Sequence, residues 1–394
     1  MKQHQHIVPA NRLQQVEEYY FSQKLAEVRE LQQQGKPIIN LGIGNPDLLT
    51  HPDVIAELAN TAQLPGSNYY QSYRGIPELR EAFAGWYANI YGVQLNPVTE
   101  ILPLMGSKEG IMHITMAFAN PGDRVLLPDP GYPAYTSVSK LLGLDVQYYN
   151  LKEKNNWLPD LDELVELVND RTKIMWLNYP HMPSGAKAGR EVFDKLVAFA
   201  RSNNILLVND NPYSLILNTE PLSLLNSDPQ KTHVLELNSL SKSHNMAGWR
   251  VGMVAGSEEN VNHILKVKSN FDSGMYKPVQ QAATRALQLP RSWYDDINAV
   301  YEKRRSLVWE LLDSLQCSYD KNSAGLFVWA RIPRNYEHGT DLSDELLYDK
   351  SVFITPGIVF GSNGDQHIRV SLCAPENDLK ETLNRIKTTK NIWV

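Results

Sequence analysis

Ser239-Leu240-Ser241-Lys242 follows the apolar run HVLELN, and Gly248-Trp249-Arg250 places an arginine eight residues beyond the lysine. A lysine at the carboxyl end of a strand, in a neutral and partly apolar loop, loses its proton more readily than an exposed one, because desolvation disfavours the ammonium form. The neutral amine is the nucleophile that a Schiff base needs. The hydroxyls of Ser239 and Ser241, with the Arg250 guanidinium, suit a phosphate dianion. The same short string also suits a solvated loop lysine, so its meaning depends on its company. Gly106-Ser107-Lys108-Glu109-Gly110 lies between the apolar ILPLM and the periodic IMHITMAFA. Either it offers backbone N–H groups at a helix start to an anion, or Ser107 is an ordinary capping side chain. Asp210 ends LLVND with Tyr213 three residues on. Its carboxylate either caps a helix or pairs with a cationic ring nitrogen. Tyr132, in DPGYPAY, stacks on a flat ligand or packs its own loop. Arg369 sits inside the apolar HIRVSL and needs an anion to offset its desolvation, either a substrate carboxylate or an internal acid.

These residues need elements to hold them. Residues 12–34 show apolar spacing near 3.6 and end at Gly35-Lys36-Pro37, which predicts an N-terminal helix. In PIINLGIGNPD, Gly42, Gly44 and Pro46 mark a strand passing into a tight loop. From about 100 to 255, the runs RVLLPDP, VQYYNL, TKIMWLNYP, NILLVND, HVLELN and RVGMVAG alternate with helical stretches such as REVFDKLVAFARSNN. That alternation predicts a mainly parallel sheet covered on both faces. Residues 257–317 read as helical with breaks at Pro278 and Pro290, before the strand-like GLFVWARIP, VFITPG and HIRVSL and a helix over ENDLKETLNRIKTT. This last part reads as a smaller α+β unit.

Composition narrows the class. The chain has 394 residues, with 38 Lys+Arg against 44 Asp+Glu, a net charge of −6 that argues against a nucleic-acid binder. Apolar residues make up 42%, enough for a large core. No apolar run is long enough to cross a membrane, and MKQHQHIVPANRLQQVEEYYF has no apolar signal-peptide core, so a cytoplasmic protein is expected. Cys317 and Cys373 form no C-x-x-C pair, and the histidines show no ligand spacing, so no metal is expected.

The order of these motifs resembles the fold-type I enzymes dependent on pyridoxal 5′-phosphate (PLP), specifically the class I/II aminotransferases. The resemblance runs nearly end to end, through NLGIGNPD, NYYQSYRGIPELREAFAGWY, GSKEGI, DPGYPAY, NYPHMPSGA, DNPY, SLSKSHNMAGWRVG and FITPGIVFGSNGDQHIRVSL. GSKEGI, DPGYPAY and KSNFDSGM are similar to the branch holding LL-diaminopimelate, alanine and aspartate aminotransferases. The implied fold is α/β, with a large domain built on a mainly parallel seven-stranded sheet between helices and a smaller α+β domain. The implied division is 1–47 for the N-terminal arm and part of the small domain, 48–285 for the large domain and 286–394 for the small C-terminal domain.

The resemblance also implies roles. Lys242 forms the Schiff base with PLP and later moves the α-proton. Asp210 keeps the pyridine nitrogen protonated, so that the ring accepts electrons. Tyr213 hydrogen-bonds the ring's phenolic oxygen, Tyr132 stacks on its face, and Asn178 matches the first asparagine of a cofactor-binding family stretch. Gly106, Ser107, Lys108, Ser239, Ser241 and Arg250 hold the phosphate. Tyr70, five residues before Gly75, reaches the cofactor of a neighbouring subunit, which implies a homodimer with shared sites. Arg369 clamps the α-carboxylate of an amino acid or 2-oxo acid substrate, with Gly44 in the same pocket and Tyr20 closing over it.

One departure stands out. The family reads N-Y-P-N-N-P-T-G where this chain has Asn178-Tyr179-Pro180-His181-Met182-Pro183-Ser184-Gly185. Met182 replaces an asparagine that donates to the phenolic oxygen, and a thioether donates nothing. The lost bond to a charged acceptor is worth ~1.5–3 kcal/mol, unless His181 substitutes. Pro180-His181-Met182-Pro183 also partly matches the P-H-N-P stretch of some carbon–sulfur β-lyases of this fold, an alternative activity. A PLP-binding sensor module without turnover is a third reading, but it needs a DNA-binding domain ahead of an N-terminal arm with which this chain is expected to begin. Lys268 lies near where dicarboxylate-specific relatives place a substrate-binding arginine from the partner subunit. It either meets an acidic substrate or is a surface residue.

Overall fold

The computed structural model describes residues 7–15 and 20–388. The expected N-terminal helix is present as a 3-10 turn at Asn11–Gln15 and an α-helix at Tyr20–Gln33, with 16–19 outside the described residues. The strands are β1 (Ile39–Asn40), β2 (Ile101–Leu104), β3 (Arg124–Asp129), β4 (Asp145–Asn150), β5 (Thr172–Leu177), β6 (Leu206–Asp210) and β7 (Val234–Ser239). They continue as β8 (Gly252–Ala255), β9 (Ser318–Tyr319), β10 (Phe327–Arg331), β11 (Val352–Phe353), β12 (Thr355–Pro356) and β13 (His367–Ser371).

Seven of them form one sheet in the order β2-β8-β7-β6-β5-β3-β4. Alternate residues of its strands enter two different cores. Leu126, Met175, Leu177 and Leu207 pack on one side, and Val125, Leu127, Ile174, Trp176, Leu206 and Val208 on the other. Helices therefore cover both faces, which is why these strands read as unbroken apolar runs. The pairs β3–β4, β3–β5, β5–β6 and β6–β7 are parallel. Only β8 runs against its neighbours β7 and β2.

That reversal has a consequence for position. The parallel strands end at one edge of the sheet, and the amino end of β8 returns to it. Asp210 ends β6, Tyr132, Asn178 and Lys242 follow the carboxyl ends of β3, β5 and β7, and Arg250 precedes β8. Residues at the carboxyl ends of such strands line the usual ligand crevice of an open α/β sheet.

A four-stranded antiparallel sheet, β12-β13-β10-β9, carries Arg369 on β13. Its core gathers Val308, Leu326, Val328, Ile368 and Val370 and also takes in Met182 and Tyr213 from loops of the large sheet. The strand β1 pairs parallel with β11, so the N-terminal segment packs with the late part of the chain. The helical region after residue 256 divides into Glu258–Lys268, Lys277–Leu287 and Arg291–Ser314. Pro278 lies in the first turn of the second helix and Pro290 is the N-cap of the third, positions where the missing N–H costs nothing.

Gly252 marks the tightest point of this arrangement. A Cβ there would lie 2.8 Å from the Asn238 carbonyl oxygen and 2.8 Å from the Ser107 backbone nitrogen. Both neighbours are backbone and cannot swing aside. The variant Gly252→Ala is expected to lose about 1–3 kcal/mol of stability, the usual cost of overpacking, with a fall in the urea midpoint. An unchanged midpoint would show that β8 has more room than this contact allows.

Candidate active site

A cavity of about 480 Å³ opens at the shared edge of the large sheet. Thirteen of the residues singled out in the sequence line it: Gly44, Ser107, Lys108, Tyr132, Asn178, Met182, Asp210, Tyr213, Ser239, Ser241, Lys242, Arg250 and Arg369. Gly106 lies just behind, where a Cβ would fall 2.0 Å from Arg250 Nη2. The positive φ of 84° and this close approach both favour a glycine there. Tyr70 is 90% exposed and outside the cavity. The side chain of Tyr20 lies outside the described residues.

Lys242 follows the Ser239 cap of a short helix, Leu240–Ser243, and its Nζ donates to the Gly44 carbonyl at 2.7 Å. Burial holds its pKa below the usual lysine value, opposed by the nearby Cys373 and helped by the positive charge of Arg369. Asp210 closes β6 and caps no helix. Its Oδ2 accepts the Tyr135 hydroxyl at 3.0 Å, whereas its Oδ1 is buried with no hydrogen-bond partner among the described residues. Burial pushes its pKa up to about 7, against the opposing Tyr135 hydrogen bond. An acid held dry with one bare oxygen is a receptor for a buried cation or N–H donor.

At the other end of the group, helix Ser107–Phe118 starts from Gly106, and no side chain caps it. Ser107 is therefore the first helical residue and not the cap, which leaves the N-terminal backbone N–H groups facing the cavity side. The Ser239 and Ser241 hydroxyls lie 2.8 Å apart. Arg250 adopts a left-handed backbone (φ 57°) and donates to Ala247 O at 3.0 Å and Met105 O at 3.4 Å. Hydroxyls, a guanidinium and a helix start in one place form an anion cradle.

Arg369 occupies the wall facing this cradle. Its Nη2 donates to Gly42 O at 2.7 Å and its Nη1 to Met182 Sδ at 3.4 Å. Its guanidinium lies over the rings of Phe327 (4.0 Å) and Phe360 (4.6 Å). Asn178 spends its amide on backbone, donating to Asp210 O at 2.6 Å and accepting from Met182 N at 2.9 Å. Tyr213 meets Phe327 edge-on at 5.9 Å.

Two expectations are corrected. His181 does not replace the missing donor at position 182. Its ring nitrogens lie 2.7 Å from Ser184 Oγ and 3.0 Å from Pro130 O, so both point away from the cavity. Burial takes its pKa down to about 4. Lys268 is not a surface residue. It is 1% exposed, and its Nζ lies 2.6 Å from Asp272 Oδ2 in its own chain. Asp272 also belongs to a group in which the carboxylates of Glu109 and Asp272 and the His113 ring come within 4.8 Å of one another.

The sequence reading missed Tyr135, Phe327 and Phe360. Tyr135 carried a signal, one helical turn beyond Tyr132 in DPGYPAY. The two phenylalanines are ordinary strand and loop apolar residues, and nothing in their spacing distinguishes them.

Asp210 gives this site a pH signature in cofactor-free protein. Its folded pKa of about 7 lies above the usual 3.8, so between these values the folded chain holds a proton that the unfolded chain has released. Stability is then expected to fall as pH rises from about 4 to about 7 and to level off above, by on the order of 4 kcal/mol. Urea unfolding across this range should show the decline in the native protein and lose it in Asp210→Asn. Parallel pH profiles for the two proteins would contradict the assignment.

Known proteins are similar to this chain in sequence and in fold. The profile of the family described as aminotransferase class I and II matches residues 36–386. An LL-diaminopimelate aminotransferase of Dehalococcoides mccartyi is 38% identical over 384 residues, covering 97% of this chain and 99% of that protein. One from Oleidesulfovibrio alaskensis is 39% identical, covering 96% and 98%. Among solved structures, apo-BacF from Bacillus subtilis aligns with a TM-score of 0.93 at 35% identity, covering 98% of each chain. Aspartate aminotransferase from Thermotoga maritima aligns at 0.89 and 27% identity, covering 97% of this chain and 100% of that one. With a profile match over most of its length, this chain belongs to the aminotransferase class I and II family and is a PLP-dependent transaminase.

Proposed function

We propose that the cavity would hold PLP, with Ser107, Ser239, Ser241 and Arg250 taking its phosphate and Tyr132 stacking on its ring. The bare, buried Oδ1 of Asp210 fits the ring nitrogen, and the observation carrying the proposal is that this oxygen and the Lys242 amine line one cavity. PLP supplies an electrophilic aldehyde and an electron sink, and the chain does the rest. Desolvation keeps a share of the Lys242 amine neutral, ready to attack and later to take and return a proton at Nζ. Asp210 holds positive charge at its Oδ1, while the Lys108 backbone and the Gly106 turn help to neutralise the phosphate. Tyr213 offers its hydroxyl as the remaining donor on the wall where Met182 offers none. Arg369 binds the substrate carboxylate with Gly44 lining the same space.

The substrate class we infer is an L-amino acid carrying a second polar end, such as LL-diaminopimelate, on which the similar curated proteins act by name. We also infer a cytoplasmic homodimer in which Tyr70 reaches the neighbouring subunit's site. The exposure of Leu49, Tyr69, Tyr70 and Phe271 supports such a covered face. Boundaries near 47 and 285 suit the separate cores of the two sheets. For substrate choice, PLP-loaded protein is mixed with single amino acids and 2-oxoglutarate, and glutamate is measured. LL-Diaminopimelate is expected to give the highest kcat/KM of the panel. A higher value for alanine or aspartate overturns the substrate, and no glutamate from any donor overturns the proposed site.

A further inference from the structure

Tyr135 closes the DPGYPAY motif with no role assigned to it above, yet it touches the acid at the centre of the site. It lies in helix Pro133–Leu141 and is 1% exposed. Its ring stacks on Trp176 of β5 at 5.0 Å with 14° between the planes. It also meets the ring of Tyr132 edge-on, at 5.5 Å and 87°. One stacked and one edge-on contact together hold the phenol in place. In that orientation the hydroxyl donates to Asp210 Oδ2 at 3.0 Å, and Oδ1 is the oxygen left bare.

We propose that Tyr135 is a positioning residue for the transamination: by engaging one oxygen of Asp210 it fixes the carboxylate with the other oxygen turned to the cavity, and it keeps that carboxylate charged. The proposal rests on the PLP reading of the cavity. A carboxylate in a dry site otherwise takes up a proton, and a hydrogen bond to its charged form opposes this. Glu236 on the adjacent strand β7 raises the Asp210 pKa further, and Lys242 lowers it. The phenol is a dependable donor, because burial and the neighbouring Asp210 push its own ionisation well above the usual tyrosine value. Edge contact with Tyr132 joins the group expected on the ring face to the group expected at the ring nitrogen, so one side chain sets the spacing of both.

Tyr135→Phe keeps the ring on Trp176 and removes only the donor. The protein is loaded with PLP, its visible absorption is titrated with pH, and kcat, KM and melting temperature are measured alongside. Without the donor the Asp210 carboxyl holds its proton more tightly and the ring nitrogen becomes less cationic. The pH midpoint of the visible absorption is then expected to rise by about one unit, with kcat down about tenfold and KM nearly unchanged. Tyr135→His restores an N–H donor and is expected to move the midpoint back toward the native value. A midpoint and kcat within twofold of native in Y135F overturn the proposal. So does a lower melting temperature or weaker PLP retention without a midpoint shift, which is what a packing role alone produces. If Y135F does not fold, a Y135H protein whose midpoint departs from native by a full unit overturns it, and one near native supports it. Failure of the PLP reading itself looks different, since unaltered protein would then develop no visible absorption with PLP.

Discussion

Exclusion of water from the carboxyl edge of the large sheet acts in opposite directions on two ionisable groups. It raises the Asp210 acid toward neutrality and lowers the Lys242 base. Each group is thereby pushed toward its uncharged form. A solvated version of the lysine would stay an ammonium, unsuited to attack or to taking up a proton. The Phe327 and Phe360 rings and the Tyr132 and Tyr213 side chains keep the edge dry, so packing and chemistry depend on the same contacts.

The fold makes this possible through two features of topology. The single reversed strand β8 brings Arg250 back to the edge where the parallel strands deliver Lys242 and Asp210, and Gly252 lets it pass close to the helix start at Ser107. The second sheet supplies the opposite wall. Directly paired with Trp329 on β10, Arg369 projects from β13 and is steadied by two aromatic faces, a carbonyl and a thioether. These partners orient the guanidinium while competing little with a carboxylate, since sulfur and π-faces are weak acceptors. Met182 thus offers no donor on the cavity wall and leaves a soft contact for Arg369.

Much of this was legible in the sequence because the relevant signals are local. Strand ends are marked by apolar runs that stop at Asp210 and Ser239, and a glycine turn before a periodic run announces the helix start at Ser107. The ordered motifs then fixed the family. What stayed hidden depends on direction and distance across the fold. The antiparallel sense of β8 leaves no trace in the apolar run RVGMVAG. Burial of Lys268 follows from Asp272, which comes four residues later outside the helix, and a charged residue near a helix end ordinarily suggests solvent. His181 could be read as a donor only because its partners, Ser184 and Pro130, were not visible as partners. Tyr135 is separated from Asp210 by 75 residues, and no spacing rule connects them.

The claim on which all of this depends is that the Lys242 amine bonds covalently to the PLP aldehyde. Borohydride reduction of PLP-loaded protein, followed by peptide mass mapping, tests it directly. A reduced pyridoxyl adduct on residue 242, absent from Lys242→Ala, is the expected result. Labelling confined to other lysines, or no labelling at all in protein that retains PLP, would contradict it.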